Sequence, residues 1–136
     1  MGLGKSSETI LVVDDDCNVR MLVKALLESE GYTVLVAADA DTAMEVYEEY
    51  QSAVALLLTD VVMPNINGLE LADRLLEREP HLRVLFMSGS GDASRGFGCV
   101  AKPFTGARLI GRVGEVLESP PPTQVARNFR FNEANC

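Results

Sequence analysis

Five short runs recur along the chain, each continuously apolar rather than alternating, with a polar residue (Thr33, Thr59, Arg83) only at an end: ILVV at 10–13, TVLVA at 33–37, VALLLT at 54–59, RVLFM at 83–87 and CVA at 99–101. Continuous apolarity over so short a length fits strands covered on both faces. Segments of helical period separate them. Val19, Leu22, Val23, Leu26 and Leu27 repeat at steps of three and four, which predicts an amphipathic helix of about three turns, stopped by Gly31. A second helix, with Asp41 as its expected cap, carries Ala43, Val46, Tyr47 and Tyr50 on one stripe. A third runs from about Gly68 to Glu79 on Leu69, Ala72, Leu75 and Leu76 and ends before Pro80. The last, Thr105 to Glu118, carries Leu109, Val113, Val116 and Leu117, and is weakened by Gly106, Gly111 and Gly114. Strands alternating with helices predict an α/β fold built from βαβ units around a parallel sheet.

At 136 residues the chain has room for one domain with a substantial core. Residues 1–8 read as a flexible leader, 9–118 as the folded domain and 119–136 as a tail, because SPPPT at 119–123 can neither continue a helix nor donate to a sheet. The opening MGLGKS fits the permissive N-myristoylation pattern, yet a leader is the simpler reading. A net charge of −8 argues against direct nucleic-acid binding, which needs a basic surface. No apolar run approaches the roughly 20 residues of a membrane span, so no membrane insertion is expected. Cys17, Cys99 and Cys136 are an odd number without metal-ligand spacing, which predicts free thiols and a cytoplasmic location. With His81 as the single histidine, no histidine-based catalytic cluster can form from this chain alone.

The chemistry lies at the strand ends. Parallel strands all point one way, so the residues that end them gather along one edge, where ligands bind at the topological switch point. Asp14, Asp15 and Asp16 follow the first strand, Asp60 the third, Ser88 the fourth and Lys102 the fifth. Crowded carboxylates either hold their protons more tightly or gather a cation. An all-oxygen donor set suits Mg²⁺ better than zinc. Lysine supplies a point charge for a tetrahedral oxyanion such as a phosphoryl group, and serine can donate to another of its oxygens. Asp60 would then be the carboxylate nucleophile that takes up phosphoryl. Asp16 fits the N-cap of the first helix better than a third ligand.

The motifs ILVVDDD, LLLTDVVMPNINGLEL, VLFMSGS and AKPF, in that order and at strand ends, resemble the receiver (response regulator) domain of two-component signalling across about residues 8 to 118. The resemblance implies a flavodoxin-like, doubly wound, five-stranded parallel sheet of order 2-1-3-4-5 with helices on both faces. It also implies a phosphoacceptor switch, charged by a histidine kinase or phosphotransfer domain in a Mg²⁺-dependent reaction and slowly hydrolysing its own phosphoryl group, and not a metabolic enzyme. Position by position, Asp60 matches the phosphoacceptor, and Asp14 and Asp15 the acidic pair that holds Mg²⁺ together with the Val62 backbone carbonyl. Ser88 matches the switch hydroxyl, Lys102 the phosphate-binding lysine and Pro103 the proline that follows it through a cis peptide bond. The chain would be a stand-alone receiver or the C-terminal receiver of a hybrid sensor kinase.

Two rival readings fit parts of the same pattern. Asp14-x-Asp16 also occurs in haloacid-dehalogenase-like phosphatases, with Asp14 as nucleophile, but no further acidic motif follows the lysine and Asp60 is left unexplained. A degenerate receiver acting only as a binding module would not need every side chain of the site to be present. GSGDASRGFG at 89–98 lacks the Gly-Lys-Ser/Thr ending of a P-loop.

One stretch departs from the family. Ser88 and Lys102 are only 14 positions apart, which leaves GSGDASRGFG at 89–98 between the strands, whereas a parallel crossover normally takes a dozen or more residues and a helix. The fourth helix is therefore expected to be shortened or missing. The aromatic usual three positions before the lysine is replaced by Cys99. An uncovered apolar patch on the fourth and fifth strands could dock another copy, as a homodimer, or a kinase domain.

Overall fold

The computed structural model describes residues 8–89 and 98–118. Along the chain run β1 (Thr9–Val13), α1 (Cys17–Ser29), β2 (Thr33–Ala37), α2 (Ala40–Tyr50), a single 3-10 turn, β3 (Val54–Asp60), α3 (Gly68–Arg78), β4 (Arg83–Ser88), β5 (Gly98–Ala101) and α4 (Gly106–Glu118). The five strands form one parallel sheet in the order β2-β1-β3-β4-β5. After β2 the chain returns to the other side of β1, so the switch point lies between β1 and β3.

Successive strand residues face opposite sides of the sheet, and each side is covered by its own pair of helices. Leu11, Val13, Leu57 and Phe86 pack with Ala43 and Tyr47 of α2 and with Leu71, Leu75 and Leu76 of α3. Ile10, Val12, Leu58, Leu85 and Val100 pack with Val23 and Leu27 of α1 and with Leu109, Val113 and Leu117 of α4. Val23, Leu27, Leu109 and Val113 are wholly buried, each contributing roughly 1.5–3 kcal/mol through removal from water. Gly106, Gly111 and Gly114 leave the α4 helix intact, because its buried stripe supplies what helix propensity lacks.

Caps fix where the helices begin. Asp16 Oδ1 accepts from the backbone N–H groups of Asn18 (2.8 Å) and Val19 (3.4 Å), as expected for the N-cap of α1. At α2 the cap is Asp39 and not Asp41: Asp39 Oδ1 accepts from the Thr42 N–H at 2.7 Å. Starting the helix there buries Ala40 along with Ala43 and places Asp41 in the first turn, where its charge favours the helix dipole. Asn67 caps α3 through the Glu70 N–H. Gly31 has a φ of 96°, the left-handed backbone of a helix stop.

Cys17 is exposed with a free thiol. Cys99 is disulfide-bonded, which corrects the expectation of free thiols throughout. The expectation of a shortened or missing fourth helix falls on residues 90–97, also outside the described residues, as do nearly all of the leader and all of the tail.

Candidate functional site at the carboxyl edge of the sheet

Strand register brings the candidate residues into one row. Val13 lies level with Thr59, Asp60 with Met87, and Ser88 with Ala101, so Asp14, Asp60, Ser88 and Lys102 all reach the carboxyl edge together. Backbone hydrogen bonds continue past the strand ends. The Asp14 N–H donates to the Ala37 carbonyl (3.2 Å), the Val61 N–H to the Met87 carbonyl (3.1 Å) and the Lys102 N–H to the Ser88 carbonyl (2.7 Å).

Lys102 links the first and third strands. Its Nζ lies 2.9 Å from Asp14 Oδ2 and 3.3 Å from Asp60 Oδ2. Asp14 is fully buried and Asp60 nearly so, whereas Asp15 is exposed at the mouth. One carboxylate oxygen from each of Asp14, Asp15 and Asp60 lies within 4.8 Å of the others. Three acids against one lysine leave excess negative charge in a partly desolvated crevice. Burial raises the Asp60 pKa; the Lys102 charge opposes this, Asp14 adds to it, and hydrogen bonds from Lys102 and the Val62 N–H pull it back without cancelling it. For Lys102, burial alone would favour the neutral amine, but hydrogen bonding and charge from Asp14, then from Asp60, together outweigh it and raise the pKa.

The donor set fits a hard divalent cation. Carboxylate oxygens converge from two strand ends, one of the three acids is open to solvent, and neither sulfur nor imidazole is in the cluster. Ser88, 2% exposed, ends β4 beside Asp60's strand and is tied to Lys102 through the backbone. Val62 is two-thirds exposed at the crevice rim. Pro103 follows a cis peptide bond.

Two features of the site lay beyond the sequence reading. Arg20 Nη1 donates to the Asp14 carbonyl at 2.7 Å. Gly68, expected as the start of the third helix, is in direct contact with Asp60: a Cβ there would lie 2.0 Å from the Asp60 carbonyl oxygen and 3.2 Å from Thr59 Oγ1. The Gly68 N–H also donates to the Val61 carbonyl at 2.8 Å, closing the loop that leaves Asp60. Within that loop Asn65 takes a φ of 67°, a left-handed conformation that asparagine tolerates better than most residues.

The fold and the site together define a doubly wound α/β protein with an acidic, lysine-bridged crevice at its switch point. The chain belongs to the response regulator receiver domain family, whose pattern residues 10–114 match. It is 37% identical over 120 residues to the sensor kinase CckA of Brucella abortus, an alignment covering 82% of this chain and 13% of that protein. It is 34% identical over 117 residues to the response regulator receiver protein CpdR of the same bacterium, covering 79% of this chain and 95% of CpdR. The solved receiver domain of the hybrid histidine kinase CckA superposes with a TM-score of 0.74 at 34% identity, covering 81% of this chain and 99% of that domain. No helix among the described residues is long and apolar enough to cross a membrane.

Proposed function

We propose that the chain is a phosphoacceptor switch, in which Asp60 takes a phosphoryl group from a histidine kinase or phosphotransfer domain. The observation that carries this reading is Lys102 Nζ bridging Asp14 and Asp60, with the Asp15 carboxylate beside them. Asp14, Asp15 and Asp60, with the Val62 carbonyl completing the protein donors, would hold Mg²⁺. The cation, when bound, supplies positive charge that offsets the acids and the incoming phosphoryl oxygens.

The chain's own groups carry the rest. A carboxylate oxygen of Asp60 attacks phosphorus and forms an O–P bond as the P–N bond to the donor imidazole breaks. The imidazole leaves with that bond's electron pair and is protonated. Lys102 now holds both acids, and its ammonium becomes available to a phosphoryl oxygen once the acids are otherwise neutralised. Ser88 donates its hydroxyl proton to a second oxygen. Slow attack by water later returns Asp60 to the free carboxylate.

The docking face for the donor adjoins the crevice. Val19, Leu22, Lys102, Pro103 and Phe104 line a cavity of about 320 Å³, and Leu22 is half exposed there. Because Lys102 lines both this cavity and the acidic cluster, a donor helix seated there would present its phosphohistidine to Asp60. The phosphatase reading with Asp14 as nucleophile fits less well, since Asp16, its required acid, is occupied as the α1 cap. Incubation with acetyl phosphate and Mg²⁺ tests the proposal: intact mass should rise by one phosphoryl group, and Asp60→Asn should abolish the gain. An unchanged mass in the unsubstituted chain would refute it.

A further inference from the structure

The Asp14 main chain is held from two sides. Its N–H donates to the Ala37 carbonyl, continuing the β1–β2 ladder, and its carbonyl accepts from Arg20 Nη1 at 2.7 Å. Arg20 stands on the first turn of α1, where its own N–H donates to the Asp16 carbonyl at 2.9 Å. Side chains on a helix point back toward its N-terminus, so this guanidinium reaches over the loop that joins β1 to α1.

We propose that Arg20 is a positioning residue for the divalent-cation site, holding Asp14 and Asp15 together in the geometry that binds the ion. This rests on the reading of those two acids as cation ligands. The Asp14 carbonyl shares a rigid peptide plane with the nitrogen and Cα of Asp15. A charge-assisted hydrogen bond to that carbonyl therefore fixes the direction in which Asp15 leaves Asp14. Asp14 is further located through its side chain, by the Asp16 N–H at 2.9 Å and by Lys102. Asp15 is exposed, and its Cα lies between this peptide and the next, whose Asp16 N–H is held by Asp14 Oδ1, so the Arg20 bond fixes the side of Asp15 that the Asp14 carboxylate does not.

Charge and position predict opposite signs. As a nearby cation Arg20 repels Mg²⁺, so if only its charge mattered, its removal would tighten binding. As a clamp it preorganises the ligands, and loss of groups that orient metal ligands typically weakens affinity by about 10–100-fold.

The test is a Mg²⁺ titration of the full chain followed by melting temperature, with Arg20→Met, which keeps much of the side-chain stem, and Arg20→Lys, which keeps charge and one donor. In parallel, phosphorylation by acetyl phosphate is measured against Mg²⁺ and against acetyl phosphate separately. Arg20→Met should move the Mg²⁺ midpoint up at least about tenfold in both readouts, leave the acetyl phosphate half-saturation at saturating Mg²⁺ unchanged, and be partly restored by lysine. A Met variant that titrates at the unsubstituted midpoint, or more tightly, overturns the proposal. Should that variant fail to fold, Arg20→Gln, which removes the charge and is too short to reach the Asp14 carbonyl, takes its place, and an unshifted midpoint there overturns the proposal equally. If the unsubstituted chain shows no response to Mg²⁺, it is the cation-site reading itself that fails.

Discussion

Gly68 sits so close to Asp60 that a single added methyl would lie 2.0 Å from the Asp60 carbonyl oxygen. Backbone cannot yield to that degree without moving, so the first residue of α3 and the last of β3 are locked against each other. Gly68→Ala should destabilise the domain by about 1–3 kcal/mol through overpacking, despite alanine's better helix propensity, and should displace Asp60. Urea denaturation measures the first effect and the rate of phosphorylation by acetyl phosphate the second. An alanine variant equal to the parent in both would show that the contact relaxes freely.

Divalent cation should stabilise the domain by relieving the repulsion among Asp14, Asp15 and Asp60. At about 100 times its Kd, Mg²⁺ adds about 2.7 kcal/mol, which for a domain of this size corresponds to a rise of about 10 °C in Tm. Melts in EDTA and in saturating Mg²⁺ measure the difference. Asp15→Asn, which removes the exposed ligand and leaves the buried Asp14–Lys102 pair in place, should shrink it.

Without Mg²⁺, Asp60 should cost stability at neutral pH. Its pKa is raised in the folded protein, chiefly by burial, so the native state binds the proton more tightly than the unfolded chain does. Stability is then highest below the ordinary aspartate pKa and falls as pH rises through the folded-state value. Asp60→Asn should melt above the parent at pH 7 in EDTA, with the gap narrowing as the pH falls toward the ordinary carboxylate range. A gap that widens on acidification would show that Lys102, not burial, dominates the Asp60 environment.

The alternation of apolar runs and helical periods was enough to place every described strand and helix, because covered parallel strands and amphipathic helices carry different spacings. Strand ends likewise made Asp14, Asp60 and Lys102 legible as neighbours: once all strands point one way, their last residues must share an edge. The α2 cap was misread because Asp39 and Asp41 both offer a carboxylate, and the choice between them is made by burial of Ala40 against the sheet. Arg20 could not be recognised, since its partner is a backbone carbonyl, a group every residue has. The proximity of Gly68 to Asp60 was hidden for a similar reason: its contact is with main chain across the loop. That Cys99 is disulfide-bonded was not legible either, since an odd number of cysteines does not say which of them pair.

Asp60, and no other acid of the crevice, is expected to carry the phosphoryl group. Borohydride reduces an acyl phosphate of aspartate to homoserine, which marks the acceptor permanently. After phosphorylation with acetyl phosphate and Mg²⁺, reduction and peptide mass mapping, homoserine is predicted at position 60 alone, and it should vanish from a sample prepared in EDTA. Homoserine at position 14 or 15, with Asp60 unmodified, would rule Asp60 out as the acceptor.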